Sequence, residues 1–234
     1  MTPKIIAHRG ASAHAPENTM AAFQLAMDIH ADGIELDVML SKDGHVVVVH
    51  DNTVDRTTNG SGRVKDMTLE ELKSLDAGGG EKIPTLEEVF DRFGGQCLIN
   101  IELKNYSSIF DSLPLDVAKL VKLHDLSDSV LLSSFNAFNL PRVRRRLAGV
   151  KLGLITDSGK ARNWIWRFFH YDSLHPYFSD VDEVLVSALH AKGKQINVWT
   201  VDDPDEIRRL ASLDVDGIIT NDPVLARETL ESIS

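Results

Sequence analysis

Residues 33–50 read GIELDVML-SKDG-HVVVVH, two apolar β-branched runs separated by a few polar residues. The runs lie too close together for the crossover that parallel neighbours need, so they predict an antiparallel hairpin. Asp43-Gly44 is a strong signal for a two-residue turn, and such a turn pairs Asp37 with His50. Because side chains alternate along a strand, Glu35 joins these two residues on one face, and the apolar residues between them turn to the other.

The rest of the chain alternates short apolar runs with segments of helical period, which is typical of a parallel sheet with crossover helices. Eight runs are candidate parallel strands, and eight is the number that closes a (β/α)8 TIM barrel of the α/β class. The candidate strands are residues 4–8, 33–39, 97–103, 130–134, 151–155, 172–175, 195–200 and 217–220.

The chain is predicted to form a single barrel domain over residues 1–234, because a barrel commonly takes a length of this order. A segment at about 51–84 follows the hairpin strand that ends at His50. It is rich in Asn, Thr, Gly and Asp, and it contains one short helical piece over residues 68–75. So long a connection predicts an insertion over one mouth of the barrel. Cap-forming residues predict helix starts at Asn18 or Thr19 and at Thr85, Ser179, Asp203 and Asp222.

The charge balance weighs against a nucleic acid or an anionic bilayer as a resident partner. The chain has 35 acidic and 25 basic side chains and a formal net charge of −10, so an anionic ligand must meet local positive charge. A single cysteine, Cys97, excludes an internal disulfide, and the N-terminal apolar run is short for a signal peptide. No run reaches the ~18 apolar residues of a membrane span. We expect a soluble, cytoplasmic protein without stable membrane association; whether it forms a homo-oligomer stays open.

Polar side chains stand where the predicted strands end. In a barrel of this kind the C-terminal strand ends meet at one mouth, which is where functional residues lie. Three clustered carboxylates cost several kcal/mol through repulsion and desolvation unless a cation compensates them. Oxygen ligands suit one divalent cation, Mg²⁺ or Ca²⁺, better than zinc. The residues at this mouth are His8, Arg9, Glu35, Asp37, Glu102, Lys104 and Trp199.

Structural explanations compete with a functional role at several of these positions. Lys104 could simply pair with Glu102, or it could hold a phosphate beside a metal. Trp199 could belong to the core packing, or it could form an apolar wall for the substrate. The aromatic segment over residues 164–171 is predicted to flank the core, with an exposed lip for an acyl chain as the alternative. The other histidines singled out are interpreted as structural: His30, His45, His124 and His190.

Several spaced motifs resemble the glycerophosphodiester phosphodiesterase family, in the order in which that family has them. They are HRG at 8–10, PENT at 16–19, ELDV at 35–38, HD at 50–51, DRTTNG at 55–60 with Gly62, LDAG at 75–78, IPTL at 83–86, NIELK at 100–104, SFN at 134–136, VWTV at 198–201 and TNDP at 220–223. The resemblance spans nearly the whole chain and implies the same barrel with an inserted segment.

By this resemblance, the chain hydrolyses a glycerophosphodiester, a small-molecule substrate, to glycerol 3-phosphate and an alcohol. One divalent cation would be bound by Glu35, Asp37 and Glu102. His8 and His50 would be the acid and base, and Arg9 and Lys104 would hold the phosphate. The rival functions are a lysophospholipase D or inositol-phosphodiester hydrolase with the same centre, and a non-catalytic phosphate-binding barrel.

Overall fold

The computed structural model describes residues 2–105, 108 and 110–233. Within this part of the chain the strands are β1 Lys4–His8, β2 Gly33–Leu40, β3 Val46–Val48, β4 Leu98–Leu103, β5 Val130–Ser134, β6 Lys151–Thr156, β7 Ser173–Pro176, β8 Gln195–Val198 and β9 Gly217–Thr220. The helices are α1 Met20–Asp28, α2 Leu69–Ser74, α3 Leu86–Phe93, α4 Leu113–Leu123, α5 Asn139–Arg144, α6 Glu183–His190, α7 Pro204–Ser212 and α8 Pro223–Glu231. Every predicted run coincides with an observed strand to within two residues at either end.

Eight parallel strands close into a barrel, as the strand count predicts. Along the sheet of the described residues the order is β1-β9-β8-β7-β6-β5-β4-β2, and β1 pairs with β2 to close the ring. Leu36, Val38, Ile99 and Ile101 are fully buried in the main hydrophobic core, together with apolar residues of the surrounding helices. The alternate residues of these strands turn inward, so the polar residues noted above converge inside the mouth. No helix in the described ranges is long and apolar enough to cross a membrane.

The hairpin exists, but the predicted register is wrong by one residue. β2 pairs antiparallel with β3, with Val38 opposite Val48 and Leu40 opposite Val46. The Ser41 N–H donates to the His45 carbonyl at 2.9 Å, so the loop has three residues rather than two. A two-residue turn of the predicted type needs positive φ at both Asp43 and Gly44, and of these two only Gly44 has it, at +84°.

The shifted register changes how His50 reaches the barrel mouth. Val49 donates its N–H to the Asp37 carbonyl at 2.9 Å, so Val49 and not His50 lies opposite Asp37. β3 ends at Val48, two residues before His50. Strand alternation therefore does not set the direction of the His50 side chain, which is held instead by contacts described below.

Helix starts follow the capping residues with one exception. Thr19, Thr85, Asp203 and Asp222 each accept a backbone N–H from the first turn of the helix that follows. Ser179 starts no α-helix. It lies in a short 3₁₀ turn, and α6 begins after Asp182, whose carboxylate accepts the Leu185 N–H at 2.9 Å.

The segment between β3 and α3 forms a small layer with its own apolar cluster. It contains a 3₁₀ turn at Val64–Asp66 and the short helix α2, whose Thr68 and Glu71 form a capping box. The buried residues of the cluster are Met39, Val47, Val49, Val54, Val64, Leu72, Ala77 and Ile83. Because the cluster includes hairpin residues, the insertion is packed onto the hairpin that carries the candidate site.

The aromatic segment after β6 is more exposed than predicted. It forms a 3₁₀ helix at Trp164–Phe168, and the side chains of Trp164 and Phe168 are 65% and 67% exposed. Trp166, Phe169 and Tyr171 pack against the core only in part. The expectation of a buried flank is therefore wrong for the first part of the segment, which presents aromatic rings to the surface.

Candidate active site

Two neighbouring strands bring three carboxylates together. Asp37 on β2 lies directly opposite Glu102 on β4, and Glu35 lies one inward position earlier on β2. One oxygen from each residue falls within 4.8 Å of the others, and all three side chains are buried. The structure thus assembles the acidic cluster that strand alternation predicts.

The electrostatics of this cluster are unbalanced. Burial raises the pKa of the Glu35 carboxyl well above its usual value, and the charges of Asp37 and Glu102 raise it further. Burial also acts to raise the pKa of Asp37, but Lys104 and Arg9 outweigh it and hold that pKa below its usual value. Protein cations therefore compensate Asp37 better than Glu35.

The donor set fits a hard divalent cation. Asp37 Oδ1 and Asn100 Oδ1 are both buried without a hydrogen-bond donor among the described residues, and Lys104 Nζ lies 3.5 Å from the former. Three carboxylates, with no thiolate in the cluster, suit Mg²⁺ or Ca²⁺ rather than zinc. The buried triad can therefore bind a metal ion, which would relieve the repulsion at Glu35.

Arg9 and Lys104 place positive charge beside the carboxylates. Arg9 has left-handed backbone geometry, with φ of +57°, and its N–H donates to Glu35 Oε2 at 3.0 Å. Its Nε atom lies 3.3 Å from Asp37 Oδ2, and Lys104 Nζ lies 3.0 Å from Glu102 Oε1. Such a rare conformation for a non-glycine residue persists only where its surroundings enforce it. Both cations therefore lie against the acidic cluster, and Arg9 also lines a recess that opens beside His8.

His8 ends β1 at the edge of the acidic cluster. Its Nε2 atom lies 3.9 Å from Glu35 Oε2, and its Nδ1 atom lies 2.7 Å from Asn221 Oδ1. Burial lowers the pKa of His8 to about 4, and the neighbouring Arg9 charge contributes in the same direction. Asn221 thus holds the ring at Nδ1, and Nε2 faces the carboxylates.

His50 is held by a network that begins in the insertion. Its Nδ1 atom lies 2.6 Å from Asp51 Oδ1, and Arg56 donates to the other oxygen of Asp51 at 2.6 Å. The Arg56 hydrogen bond, aided by His50, lowers the pKa of Asp51 to about 2. Arg56 also binds both oxygens of Glu17, which accepts a hydrogen bond from Arg9 at 2.8 Å.

This network holds His50 near the acidic cluster despite the changed register. His50 is near enough to contribute to the lowered pKa values of both Asp37 and His8, although burial, Lys104 and Arg9 are the larger influences there. The side chain is aimed by Asp51 and Arg56, not by the pleat of a strand.

Trp199 follows β8 and lines the inside of the mouth together with His8, Glu35 and Glu102. Its indole N–H donates to the His175 carbonyl at 2.9 Å. Its ring meets the rings of Phe135 and Tyr177 edge-on, at 5.4 and 5.5 Å between centroids. A larger recess of about 670 Å³ opens beside His8 and Arg9. Trp199 thus packs among aromatic rings and also lines the mouth.

The family model for "Glycerophosphoryl diester phosphodiesterase family" matches residues 8–225. The chain belongs to this family. A glycerophosphodiester phosphodiesterase of Caldanaerobacter subterraneus subsp. tengcongensis is 45% identical over 233 residues, with 95% of this chain and 96% of the relative covered. The glycerophosphodiester phosphodiesterase of Bacillus altitudinis is 38% identical over 232 residues, with 94% and 95% covered.

A solved structure agrees with both the fold and the class of enzyme. The Oleispira antarctica phosphodiesterase in complex with the product sn-glycerol-3-phosphate has a TM-score of 0.90 and 31% identity, covering 98% of this chain and 97% of that chain. The chain is therefore an enzyme of the glycerophosphodiester phosphodiesterase class, with a small-molecule substrate.

Sequence reasoning missed the polar residues that support the catalytic candidates. Asn18 donates its amide to Asp37 Oδ2 at 2.9 Å, and it too has positive φ, +57°. Glu17 joins Arg9 to Arg56, and Asn221 contacts His8. These residues belong to the family motifs at 16–19, 55–60 and 220–223. The sequence therefore marked them as part of a motif but did not indicate what each of them does.

His175 is a buried histidine of the barrel interior that also escaped the sequence analysis. Its Nε2 atom lies 2.9 Å from Ser173 Oγ and 3.1 Å from Asn197 Nδ2, and burial lowers its pKa from 6.5 to about 3. Because the folded pKa lies below the unfolded value, the unfolded state binds the proton more readily. The stability that neutral His175 contributes is complete above pH 6.5 and is lost as the pH falls towards 3.

We expect the free energy of unfolding of the wild-type protein to fall by ~2 kcal/mol between about pH 7.5 and about pH 5 because of His175 alone. The loss is about 1.36 kcal/mol for each pH unit below the unfolded pKa. Urea unfolding of wild type and His175→Gln at both pH values measures this difference. The variant should show the weaker pH dependence, because His8 and the carboxylates contribute equally in both proteins. Equal pH dependence in the two proteins would contradict the assignment.

Proposed function

We propose that this enzyme hydrolyses glycerophosphodiesters to sn-glycerol 3-phosphate and an alcohol, with one divalent cation and two histidines as acid and base. The convergence of the buried triad Glu35, Asp37 and Glu102 with His8 and His50 carries the proposal. The product named in the Oleispira antarctica complex supports the glycerol phosphate half of the substrate. The single cysteine, Cys97, accords with a reducing, cytoplasmic setting.

Charge compensation is the first requirement of the reaction. A phosphodiester is an anion that repels an incoming oxygen nucleophile, and negative charge grows on the phosphoryl oxygens as the bond forms. Mg²⁺ or Ca²⁺, when bound by the triad, supplies Lewis acidity at the phosphoryl group. Arg9 and Lys104 would hold the remaining phosphoryl oxygens through charge-assisted hydrogen bonds. Both residues already face the triad, at 3.3 Å and 3.0 Å from its carboxylate oxygens.

Proton transfer is the second requirement. Each histidine contacts a neighbour through Nδ1, His8 with Asn221 and His50 with Asp51. Nε2 is then the nitrogen of each ring that exchanges protons with the substrate. One imidazole removes the proton of the nucleophile and the other protonates the leaving alkoxide, each contributing ~10²- to 10⁴-fold.

The glycerol group offers a nucleophile of its own. Its free hydroxyl is adjacent to the phosphorylated carbon, and such an attacker has an effective molarity of ~10⁵ M or more. Attack by this oxygen forms a new P–O bond, breaks the bond to the alcohol and yields a cyclic glycerol phosphate. Water then opens the ring, with the two histidines exchanging roles.

One panel of substrates tests the proposed function. Glycerophosphocholine, glycerophosphoethanolamine and glycerophosphoinositol should each release sn-glycerol 3-phosphate in the presence of Mg²⁺ or Ca²⁺. A glycerophosphocholine analogue without the adjacent hydroxyl should be hydrolysed at least ~10³-fold more slowly. Equal hydrolysis of the analogue would eliminate attack by the glycerol oxygen and leave attack by water. Absence of turnover on all three natural substrates would overturn the substrate class.

Lysophospholipids are the second candidate substrates, because exposed aromatic rings follow the mouth-side end of β6. Phe138, which follows β5, is 57% exposed, and its ring meets Phe169 edge-on at 5.4 Å. Together with Trp164 and Phe168 these rings could accept an acyl chain. Faster release of choline from lysophosphatidylcholine than from glycerophosphocholine would establish this rival, and the reverse order would exclude it as the preferred reaction.

A further inference from the structure

Two residues far along the chain hold one ring nitrogen of His8. Asn221 Oδ1 lies 2.7 Å from His8 Nδ1, and Asn221 Nδ2 lies 2.6 Å from Asp202 Oδ2. Asp202 comes after β8 and Asn221 directly after β9, and β9 pairs with both β8 and β1. The three side chains form one continuous row of hydrogen bonds.

The partners of Asp202 determine which way the Asn221 amide points. Asp202 Oδ1 accepts from the Thr220 hydroxyl at 2.9 Å and from the Asn221 backbone N–H at 2.8 Å. Its Oδ2 atom then accepts the Asn221 amide N–H, because a carboxylate has no hydrogen to donate. The carbonyl oxygen of Asn221 is therefore the atom that faces His8.

A carbonyl oxygen accepts hydrogen bonds and cannot donate one, so His8 Nδ1 must carry the proton of the neutral ring. We propose that Asp202 and Asn221 are positioning residues that hold neutral His8 in the Nδ1–H tautomer. This inference rests on the proposed function, because it explains how His8 can exchange protons at Nε2. That atom lies 3.9 Å from Glu35 Oε2 and faces the acidic cluster.

The opposite tautomer would prevent the step in which His8 acts as the base. With the proton on Nε2, His8 would present a donor to the substrate and could not remove a proton from a nucleophile. A catalytic histidine in the wrong tautomer lowers turnover by up to ~10⁴ in a Ser-His-Asp triad. Ser12 does not decide the matter, because its single hydroxyl hydrogen is shared between the His8 carbonyl at 2.8 Å and Asn221 Oδ1 at 3.0 Å.

Asp202→Asn should reverse the direction of the hydrogen bonds that link Asp202, Asn221 and His8. The Thr220 hydroxyl and the Asn221 backbone N–H both donate to the Oδ1 position, so the new amide at position 202 must keep its oxygen there. Its nitrogen then takes the Oδ2 position and faces the Asn221 amide nitrogen. Two donors cannot bond, and Asn221 turns its own NH₂ group to His8. We expect His8 to change to the Nε2–H tautomer and kcat to fall by ~10² or more. KM and the affinity for the cation should change less than about threefold, because both residues act through His8 and lie outside the acidic triad.

The exchange Asp202→Asn/Asn221→Asp provides the rescue. The new amide at position 202 would then donate to the new carboxylate at position 221, whose other oxygen accepts the His8 Nδ1–H. Turnover should recover at least about tenfold over Asp202→Asn, because the Nδ1–H tautomer is restored. Asp205→Asn is the matched control, since Asp205 lies nearby in the first turn of α7, is exposed and pairs with Arg208 one turn on; it should keep wild-type turnover.

Nitrogen-15 NMR of the imidazole groups reads the tautomer directly in the wild-type protein, so the test survives even if a variant fails to fold. His8 in the Nε2–H form in wild type would overturn the inference, as would wild-type kcat in Asp202→Asn or an exchange variant no better than Asp202→Asn. The proposed function fails differently. Near-normal turnover of His8→Ala would refute the role of His8 in catalysis while leaving the measured tautomer intact.

Discussion

Exhaustive chelation of divalent cations should abolish turnover, and restoring Mg²⁺ or Ca²⁺ should recover it. The reason is that Glu35, Asp37 and Glu102 place oxygens of three buried carboxylates within 4.8 Å of one another. Arg9 Nε lies 3.3 Å from Asp37 and Lys104 Nζ lies 3.0 Å from Glu102, whereas burial and the two acidic neighbours keep the pKa of Glu35 raised. A cation at about 100 times its dissociation constant should also stabilise the folded state by ~2.7 kcal/mol. Calorimetric titration and thermal unfolding measure these effects independently of activity.

Replacing the three ligands separately gives a sharper test than chelation. Glu35→Gln, Asp37→Asn and Glu102→Gln should each lose cation binding and activity. The stabilities of the first two without metal should change in opposite directions. Glu35→Gln removes like-charge repulsion and should raise stability by ~1 kcal/mol, whereas Asp37→Asn breaks contacts with Arg9 and Lys104 and should lower it by ~3 kcal/mol.

An exposed carboxylate serves as the control for these variants. Glu87 is exposed in the first turn of α3. Glu87→Gln should therefore change neither cation binding nor turnover. Full activity after complete removal of bound cations would refute the metal assignment. Destabilisation by Glu35→Gln in the absence of metal would show that the protein compensates this carboxylate by itself.

The acidic centre was predictable from the sequence because it depends on short-range rules. Period-two alternation places Glu35 and Asp37 on one face of β2, and parallel pairing brings Glu102 beside Asp37. Strand ends in a closed barrel meet at one mouth whatever the details of the helices. The first rule needs only the order and polarity of residues within a strand, and the other two need only the number and order of the strands, which the sequence also indicates.

The hairpin register departs from the local turn preference, and the loop is bonded to the insertion. Asp43 Oδ1 accepts hydrogen bonds from Ser41 Oγ at 2.7 Å and from the Leu69 N–H at 3.0 Å, where α2 begins. These contacts hold Asp43 as part of a three-residue loop in which Gly44 has positive φ. A local turn preference cannot include a partner that lies 26 residues further along the chain.

The supporting residues of the two histidines escaped prediction for a related reason. Asn221 is 213 residues from His8 in sequence, and an asparagine carries no charge that would draw attention to it. Arg56 and Asp51 are charged, but their roles depend on the path that the insertion takes over the mouth. The exposure of the aromatic segment was not predictable either, because apolar composition alone does not say whether a ring faces the core or the surface.

His8→Ala and His50→Ala should each lower kcat by ~10² to 10⁴, with cation affinity unchanged because neither imidazole belongs to the acidic triad. The double variant should be little worse than either single variant if the two rings act in one proton-transfer sequence. His45→Ala is the matched control. This histidine lies on the same hairpin, its side chain is 48% exposed, and its Nε2 atom lies 4.0 Å from Asp43, outside the acidic triad.

A substrate with an activated leaving group should separate the roles of the two histidines. Glycerol phosphate esterified to p-nitrophenol releases an anion that needs no proton in the first step. The burst of p-nitrophenolate, measured before water opens the cyclic phosphate, should therefore recover most of its lost rate in the variant that lacks the general acid of that step. The variant that lacks the base should stay slow, because the nucleophile must still lose its proton. If both variants stayed equally slow on this substrate, neither histidine would be acting as the acid. If His50→Ala hydrolysed glycerophosphocholine at a near-normal rate, the network of Asp51, Arg56 and Glu17 would hold a structural residue and not a catalytic one.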